Sequence, residues 1–372
     1  MMKKYIIIII LSVFIFNQKI ARVERPSSEQ FLINQIHQII ASKKAVKIDS
    51  FFTERHNRNL FNGTVLFAEK GQLIYKNSFG YADFKNKIPL QDNTAFQLAS
   101  VTKPLTACAV LMLAESGKLN LEDDIQDYLP EFPYDGITIR LLLTHRSGLP
   151  DYMYFADKIW KSRRIFLTNQ DMIDLMTLYK PYRYYRPDRR YNYSNTNYAL
   201  LAALIEKVSG ISFADFMKLN IFEPLGMRNT FVYTGEDSQL ELMENVATGF
   251  DHPRRKAENS YLNGIVGDKG IYSTVEDLFR WDQALQQGNL LSVFSLEEAF
   301  SPAHKDLRDY DNYGFGWRIN LNNGDKIIFH SGWWKGFKTY FIRKVNQEKT
   351  MIILTNTANH HFLSIRRLCE LL

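Results

Sequence analysis

At 372 residues and 45% apolar side chains, the chain can bury a full core and reads as a soluble globular protein of one large domain or two interlocked ones. Its net charge of +6, from 46 basic and 40 acidic residues, suits work near anionic envelope surfaces and does not by itself imply nucleic acid. Cys108 and Cys369, the two cysteines, have no near partner with metal or redox spacing, so the fold must stand on packing rather than on disulfides.

The chain opens with "MMKKYIIIIILSVFIF", a lysine-bearing head before an apolar run from Tyr5 to Phe16 that is short for a membrane span. It predicts an export signal over 1–21, with the mature domain over 22–372. No clean small-x-small site follows, so an uncleaved anchor, and with it membrane association, stays open. Phe31, Ile33, Ile36, Ile39 and Ile40 then recur at near-helical spacing and predict a helix within 26–45. Alternation on both sides of Lys70-Gly71 predicts a hairpin.

A helix is expected from Ser100 to about Ser116, ending at Gly117. Short helices and loops follow to about residue 260, including one capped near Thr168 and one stopped at Gly210. Ser273 and Glu276 stand in capping-box register ahead of another helix. "YGFGWRINL", "DKIIFHSG", "FKTYFIRKV" and "KTMIILTNT" predict an antiparallel meander. A last helix should carry Phe362, Ile365, Leu368 and Leu371 on one side. Strands at both ends with helices between predict an α+β fold, its antiparallel sheet built from both chain ends and flanked by helices. A helical subdomain is inserted at roughly 118–260.

Within this frame, "LASVTKPL" sets Ser100 three residues ahead of Lys103. Pro104 has no N–H to give the carbonyl of Ser100, so it must lie in the first turn and Ser100 at the helix N-terminus. There a developing negative charge is favoured, and a residue three on projects from the same face. A serine needs a neighbour to take its proton, and a lysine can do so when burial and nearby positive charge lower its pKa. Serine is also a common N-cap, so this stretch alone leaves a purely structural start open. No other Ser-x-x-Lys and no Gly-x-Ser-x-Gly occurs in the chain.

Tyr193 and Asn195 head a strong helix after a turn at Pro187, although Tyr75, Tyr261 and Tyr310 also begin Tyr-x-Asn. In "IIFHSGWWKGF" an apolar strand ends in His330-Ser331-Gly332. The small residue would let a substrate backbone lie along the strand, and the N–H of Trp333 could form an oxyanion hole with that of Ser100.

Ser-x-x-Lys at Ser100, Tyr-x-Asn 93 residues later and His-x-Gly 230 residues after the serine resemble the serine β-lactamase and penicillin-binding-protein superfamily. The chain is most similar to its class C β-lactamase-related serine hydrolases, in "FQLASVTKPLTA", "LLLTHRSGLPDY", "IFEPLGMRNT" and "GDKGIYSTVEDLFRW" among other stretches. The resemblance implies the β-lactamase/transpeptidase-like fold. It implies Ser100 as acylated nucleophile, Lys103 as proton acceptor and Tyr193 as proton shuttle that helps activate the deacylating water. Asn195 would hold the lysine and the substrate amide, with His330, Ser331, Gly332 and Trp333 along the substrate. His-x-Gly in place of Lys-Thr-Gly argues for a DD-peptidase or D-aminopeptidase type of site over efficient β-lactam hydrolysis. Asp188 stands where relatives often have a glycine; aspartate tolerates the left-handed conformation better than most residues, so the turn is expected to survive, with a different site mouth left open.

His145 and Ser147 are close in sequence but are expected to be structural. "KPYRYYRPDRRYNY", with Arg183, Arg186, Arg189 and Arg190, is expected to be a carboxylate-recognising rim or a solvated loop rather than a nucleic-acid surface. Eight scattered histidines show no metal spacing, and neither a metal nor another cofactor is implied. The sequence therefore predicts an extracytoplasmic serine hydrolase acting on a small molecule or short peptide, peptidoglycan-derived ones included. D-amino-acid peptides lead, and the alternatives are an esterase, a weak β-lactamase and a catalytically silent peptidoglycan binder.

Overall fold

The computed structural model describes residues 28–241, 243–251, 255–304, 312–322, 325–358 and 363–372. The expected export signal and Phe362 lie outside them. The chain divides into two compact units, Met1–Lys44 and Ala45–Leu372. Helix α1 (Ser28–Asn57) is longer than the apolar spacing suggested, and its buried anchors in the second unit are Ile48 and Phe52.

Strands β1 (Gly63–Glu69) and β2 (Gln72–Phe79) form the expected hairpin. Its corner, Lys70 and Gly71, has φ of 51° and 73°, the left-handed pair that a tight two-residue turn needs. The short β3 (Phe96–Gln97) leads into a 3-10 turn over Ala99–Val101 and then α2 (Thr102–Glu115). Pro104 lies at the third position of α2, where its missing N–H costs nothing.

Helices α3 (Tyr152–Ile159), α4 (Asn169–Tyr179) and α5 (Asn195–Ser209) follow. Thr168 caps α4 with a capping box through Asp171, and Gly210 ends α5 at φ 75°. Strand β4 (Ile271–Ser273) precedes α6 (Val275–Gln286), where one expectation shifts by a residue. The cap of α6 is Thr274, accepting from the N–H of Asp277, because Ser273 belongs to β4 and its hydroxyl bonds Thr230 at 2.7 Å.

Strands β5 (Arg318–Asn322), β6 (Asp325–Trp334), β7 (Phe337–Lys344) and β8 (Lys349–Thr355) form the meander, and a short α7 (Ile365–Cys369) follows. Strand β1 pairs antiparallel with β8, Val65 opposite Ile353, giving one six-stranded sheet in the order β5-β6-β7-β8-β1-β2. The two ends of the chain therefore build the sheet, as expected.

Alternation divides each inner strand between two cores. Val65, Phe67, Ile342, Met351 and Ile353 face Ile48, Phe52 and Leu368 of the terminal helices and Leu371 just beyond the last one. Leu66, Phe341, Ile352 and Leu354 face the cluster that holds α2 and α5. With apolar groups on both faces, β8 reads as an unbroken apolar run rather than an alternating one. Residues Thr196–Ile205 of α5 and most of α2 are buried all round, and these two helices pack on each other in the interior.

Candidate active site

Ser100 does not cap α2: the N-cap is Val101, and no side chain bonds the helix start. The Ser100 hydroxyl instead receives a hydrogen bond from Lys103 Nζ at 3.1 Å. Ala99, just before it, is held at φ 50°, a conformation that an alanine adopts only where its surroundings enforce it. The enforcement comes from the sheet. Thr339 Oγ1 donates to the Leu98 carbonyl at 2.6 Å, and Gly332 of β6 rests directly on the same turn. A Cβ at Gly332 would come within 2.3 Å of the Leu98 oxygen and 2.4 Å of Thr339 Oγ1. The glycine thus admits the protein's own turn, whereas the sequence had suggested that it admits substrate.

Lys103 has no exposed surface, yet its ammonium has three acceptors: Ser100 Oγ, Asn195 Oδ1 at 2.8 Å and the Asp268 carbonyl at 2.9 Å. Burial lowers its pKa to about 8; Asp268 and Asp151 oppose that shift and Arg318 assists it. Asn195 is oriented in turn by Asp151, whose Oδ2 accepts from both the Asn195 N–H and its Nδ2 at 2.9 Å. Asp151 also caps α3, so one carboxylate fixes the starts of two helices at the site. Burial raises its pKa.

Tyr193 faces Ser100, and its ring lies 4.9 Å from Lys103 Nζ. Burial pushes its phenol above the ordinary range, the reverse of its effect on Lys103. The Pro187 turn survives as expected: Asp188 stands at φ 59°, and its carboxylate takes Arg146 Nε at 2.6 Å, a fastening that a glycine would lack.

Strand β5 pairs with β6 only as far as Phe329, so His330–Trp334 is bonded to β7 alone on that sheet. His330 is 1% exposed, with Nδ1 on the Ser331 carbonyl at 2.8 Å and Nε2 on the Tyr313 hydroxyl at 3.0 Å. Burial holds its pKa well below the usual histidine range, so the imidazole is neutral and turned inward. It lies behind Tyr193, ring centroids 6.2 Å apart. Ser331 is half-buried and Trp333 is 64% exposed, so these two form the accessible side of the strand.

His145 and Ser147 do not form a pair of their own; both meet Asn197, at 3.1 and 2.6 Å. His145 stacks on Tyr193 with centroids 4.2 Å apart and so braces it. In the arginine-rich loop, Arg183 turns to Asp135 at 3.5 Å and Arg190 stacks on Tyr185 at 3.9 Å, while Arg186 and Arg189 are exposed. Among the described residues, no group of three or more His, Cys, Asp or Glu is placed to hold a metal ion.

Four residues at the site were not singled out in the sequence: Asp151 and Asp268, which lie within the family-like stretches "LLLTHRSGLPDY" and "GDKGIYSTVEDLFRW", and Tyr313 and Arg318. Arg318 stands on β5, 5.3 Å from the Tyr193 ring and facing Tyr191. The one available signal was a charged residue inside an otherwise apolar strand, "GWRINL".

The Beta-lactamase family model matches residues 48–367. Penicillin-binding protein 4* from Bacillus subtilis (strain 168) is 42% identical over 84% of this chain and 72% of its own. The chain spans 62% and 59% of the length of two further relatives that it matches. Among solved structures, an octameric penicillin-binding protein homologue from Pyrococcus abyssi superposes with a TM-score of 0.73 at 27% identity, over 84% of this chain and 73% of that one. A D-amino acid amidase from Ochrobactrum anthropi SV3 superposes with 0.72 at 25% identity, over 87% of this chain and 100% of that one. This chain belongs to the Beta-lactamase family, as a serine hydrolase related to the penicillin-binding proteins.

Proposed function

We propose that the chain is an exported hydrolase that cleaves a small amide, with D-amino-acid peptides the leading class, through an acyl-enzyme on Ser100. The observation that carries this reading is the fully buried Lys103 ammonium, held 3.1 Å from Ser100 Oγ with a pKa lowered to about 8. A lysine so placed gives up its proton near neutral pH and can take that of the serine. Ser100 Oγ then bonds the substrate carbonyl carbon, and the oxyanion settles on the N–H groups of Ser100 and Trp333. Tyr193, a neutral phenol at that pH, protonates the leaving nitrogen as the tetrahedral species collapses, and Lys103 returns its proton towards Tyr193. Water hydrolyses the ester by the same steps in reverse order.

Arg318 beside Tyr193 is the cation suited to a substrate's terminal carboxylate, and the free side of His330–Trp334 suits an extended peptide. The names of the relatives, penicillin-binding protein and D-amino acid amidase, support the amide class. The export reading rests on the lysine-headed apolar start.

A labelled fluorophosphonate or penicillin should mark the parent protein and not Ser100→Ala. Equal labelling of the two would refute the nucleophile assignment. The 64% exposed Trp333, an apolar shelf beside Ser100, favours a second reading as an esterase. D-alanine release from a short peptide, set against turnover of nitrophenyl esters, decides between them.

A further inference from the structure

A second buried lysine lies beside the first. Asp268, whose carbonyl holds Lys103, is 1% exposed; its neighbour Lys269 is 3% exposed and Tyr152 is fully buried. Lys269 Nζ donates to the Tyr152 hydroxyl at 2.8 Å and to the Ile265 carbonyl at 3.0 Å, and stands 3.5 Å from Asp268 Oδ1. Tyr152 in turn donates its own O–H to Asp268 Oδ2 at 2.9 Å. The loop is shaped by Gly267 and Gly270 at φ 95° and 101°, and Thr106 of α2 pins the Gly267 carbonyl at 2.7 Å. A Cβ at Gly267 would meet Ala202 and the Tyr198 carbonyl at 2.5 Å. The cluster is thus clamped between α2 and α5.

A buried ion pair is a poor source of stability, because desolvation offsets much of its attraction and apolar residues of like size serve as well. Stability therefore does not explain two charges sealed one carbonyl away from Lys103. We propose that Asp268, Lys269 and Tyr152 form a positioning unit for the reaction: they hold the Asp268 carbonyl on Lys103 and surround that lysine with a balanced charge. This rests on the reading of Lys103 as proton acceptor.

Other groups also face Lys103: Asp151 at the head of α3, Tyr193 and Asn195 at the head of α5, and Tyr198 within α5. His145 and His330 face it as neutral imidazoles, and Arg318 faces it from β5. None of these changes in the variants below, so their effects cancel in the comparison. Asp268 is the largest charge acting on Lys103 and favours its protonated form.

The test is the pH profile of kcat/KM on a nitrophenyl ester, whose acid limb reports the free base. Asp268→Asn leaves the Lys269 cation unbalanced, so the limb should move about one unit to lower pH. Lys269→Met leaves the carboxylate unbalanced, so the limb should move to higher pH. The double variant should return towards the parent. Melting curves establish that each protein is folded, and if Asp268→Asn does not fold, Lys269→Met carries the test by its opposite sign. Limbs that stay in place in folded single variants overturn the proposal. Lys103→Met separates that failure from the failure of the reading beneath it, because that reading falls only if this variant still acylates Ser100 at the parent rate.

Discussion

At the residue scale, burial acts on the two titrating side chains that face Ser100 in opposite directions. It lowers Lys103 and raises Tyr193, so one becomes a base near neutral pH and the other remains an acid. The arrangement has a cost that can be measured. Below about pH 8 Lys103 is charged in both folded and unfolded chains, and the buried charge weakens the fold. Between about 8 and the ordinary 10.5 the folded chain has lost this proton while the unfolded chain still binds it, so stability rises with pH through that window. The shift corresponds to about 3 kcal/mol. Lys103→Met lacks this term. Unfolding free energies of the two proteins, compared from pH 7 to 10.5, should therefore shift in favour of the parent by about that amount. A difference that stays flat with pH would mean that Lys103 is not perturbed.

At the element scale, what the sequence displayed was what one short stretch decides alone. Lys70-Gly71 specifies its turn, Thr168 and Asp171 box a helix start, and Pro104 limits how far back α2 can begin. The misplaced cap of α6 shows the limit of such reading. Ser273 and Thr274 both carry a hydroxyl, and only the pairing of β4 with its neighbours shows which is already engaged. Gly332 was legible as important but not for its reason, since the turn that it admits lies more than two hundred residues earlier in the chain. Gly332→Ala should push β6 off the Leu98–Ala99 turn and spread the oxyanion donors. Loss of one such donor is typically worth about 10²–10³ in rate. Acylation of Ser100 should fall by at least about 10²-fold, with far-UV circular dichroism unchanged. A variant that acylates at the parent rate would show that the contact does not position the nucleophile.

For the whole molecule, the site is assembled from segments that meet only because both chain ends share one sheet. Ser100 follows the first strands, Tyr193 and Asp268 arrive through the helical region, and His330 returns on the meander. Asp151, Asp268 and Arg318 act through partners so distant in sequence that no local spacing could mark them. The closing step is the pairing of β1 with β8, seven residues against seven, with β8 also bound along β7. Such long-range pairing comes after its loop-closure entropy is paid, so the sheet should be the last part of the fold to form and the first to fail. Deleting residues 349–372 removes β8 and α7, strips β1 and β7 of a neighbour, and uncovers Phe52, Val65 and Ile342 in the outer core. The truncated chain should retain helical far-UV signal from the buried α2 and α5 region, lose near-UV signal, bind a hydrophobic dye and leave Ser100 unlabelled by fluorophosphonate. Labelling at the full-length rate would mean that the helical region and β6 build the site without the closed sheet.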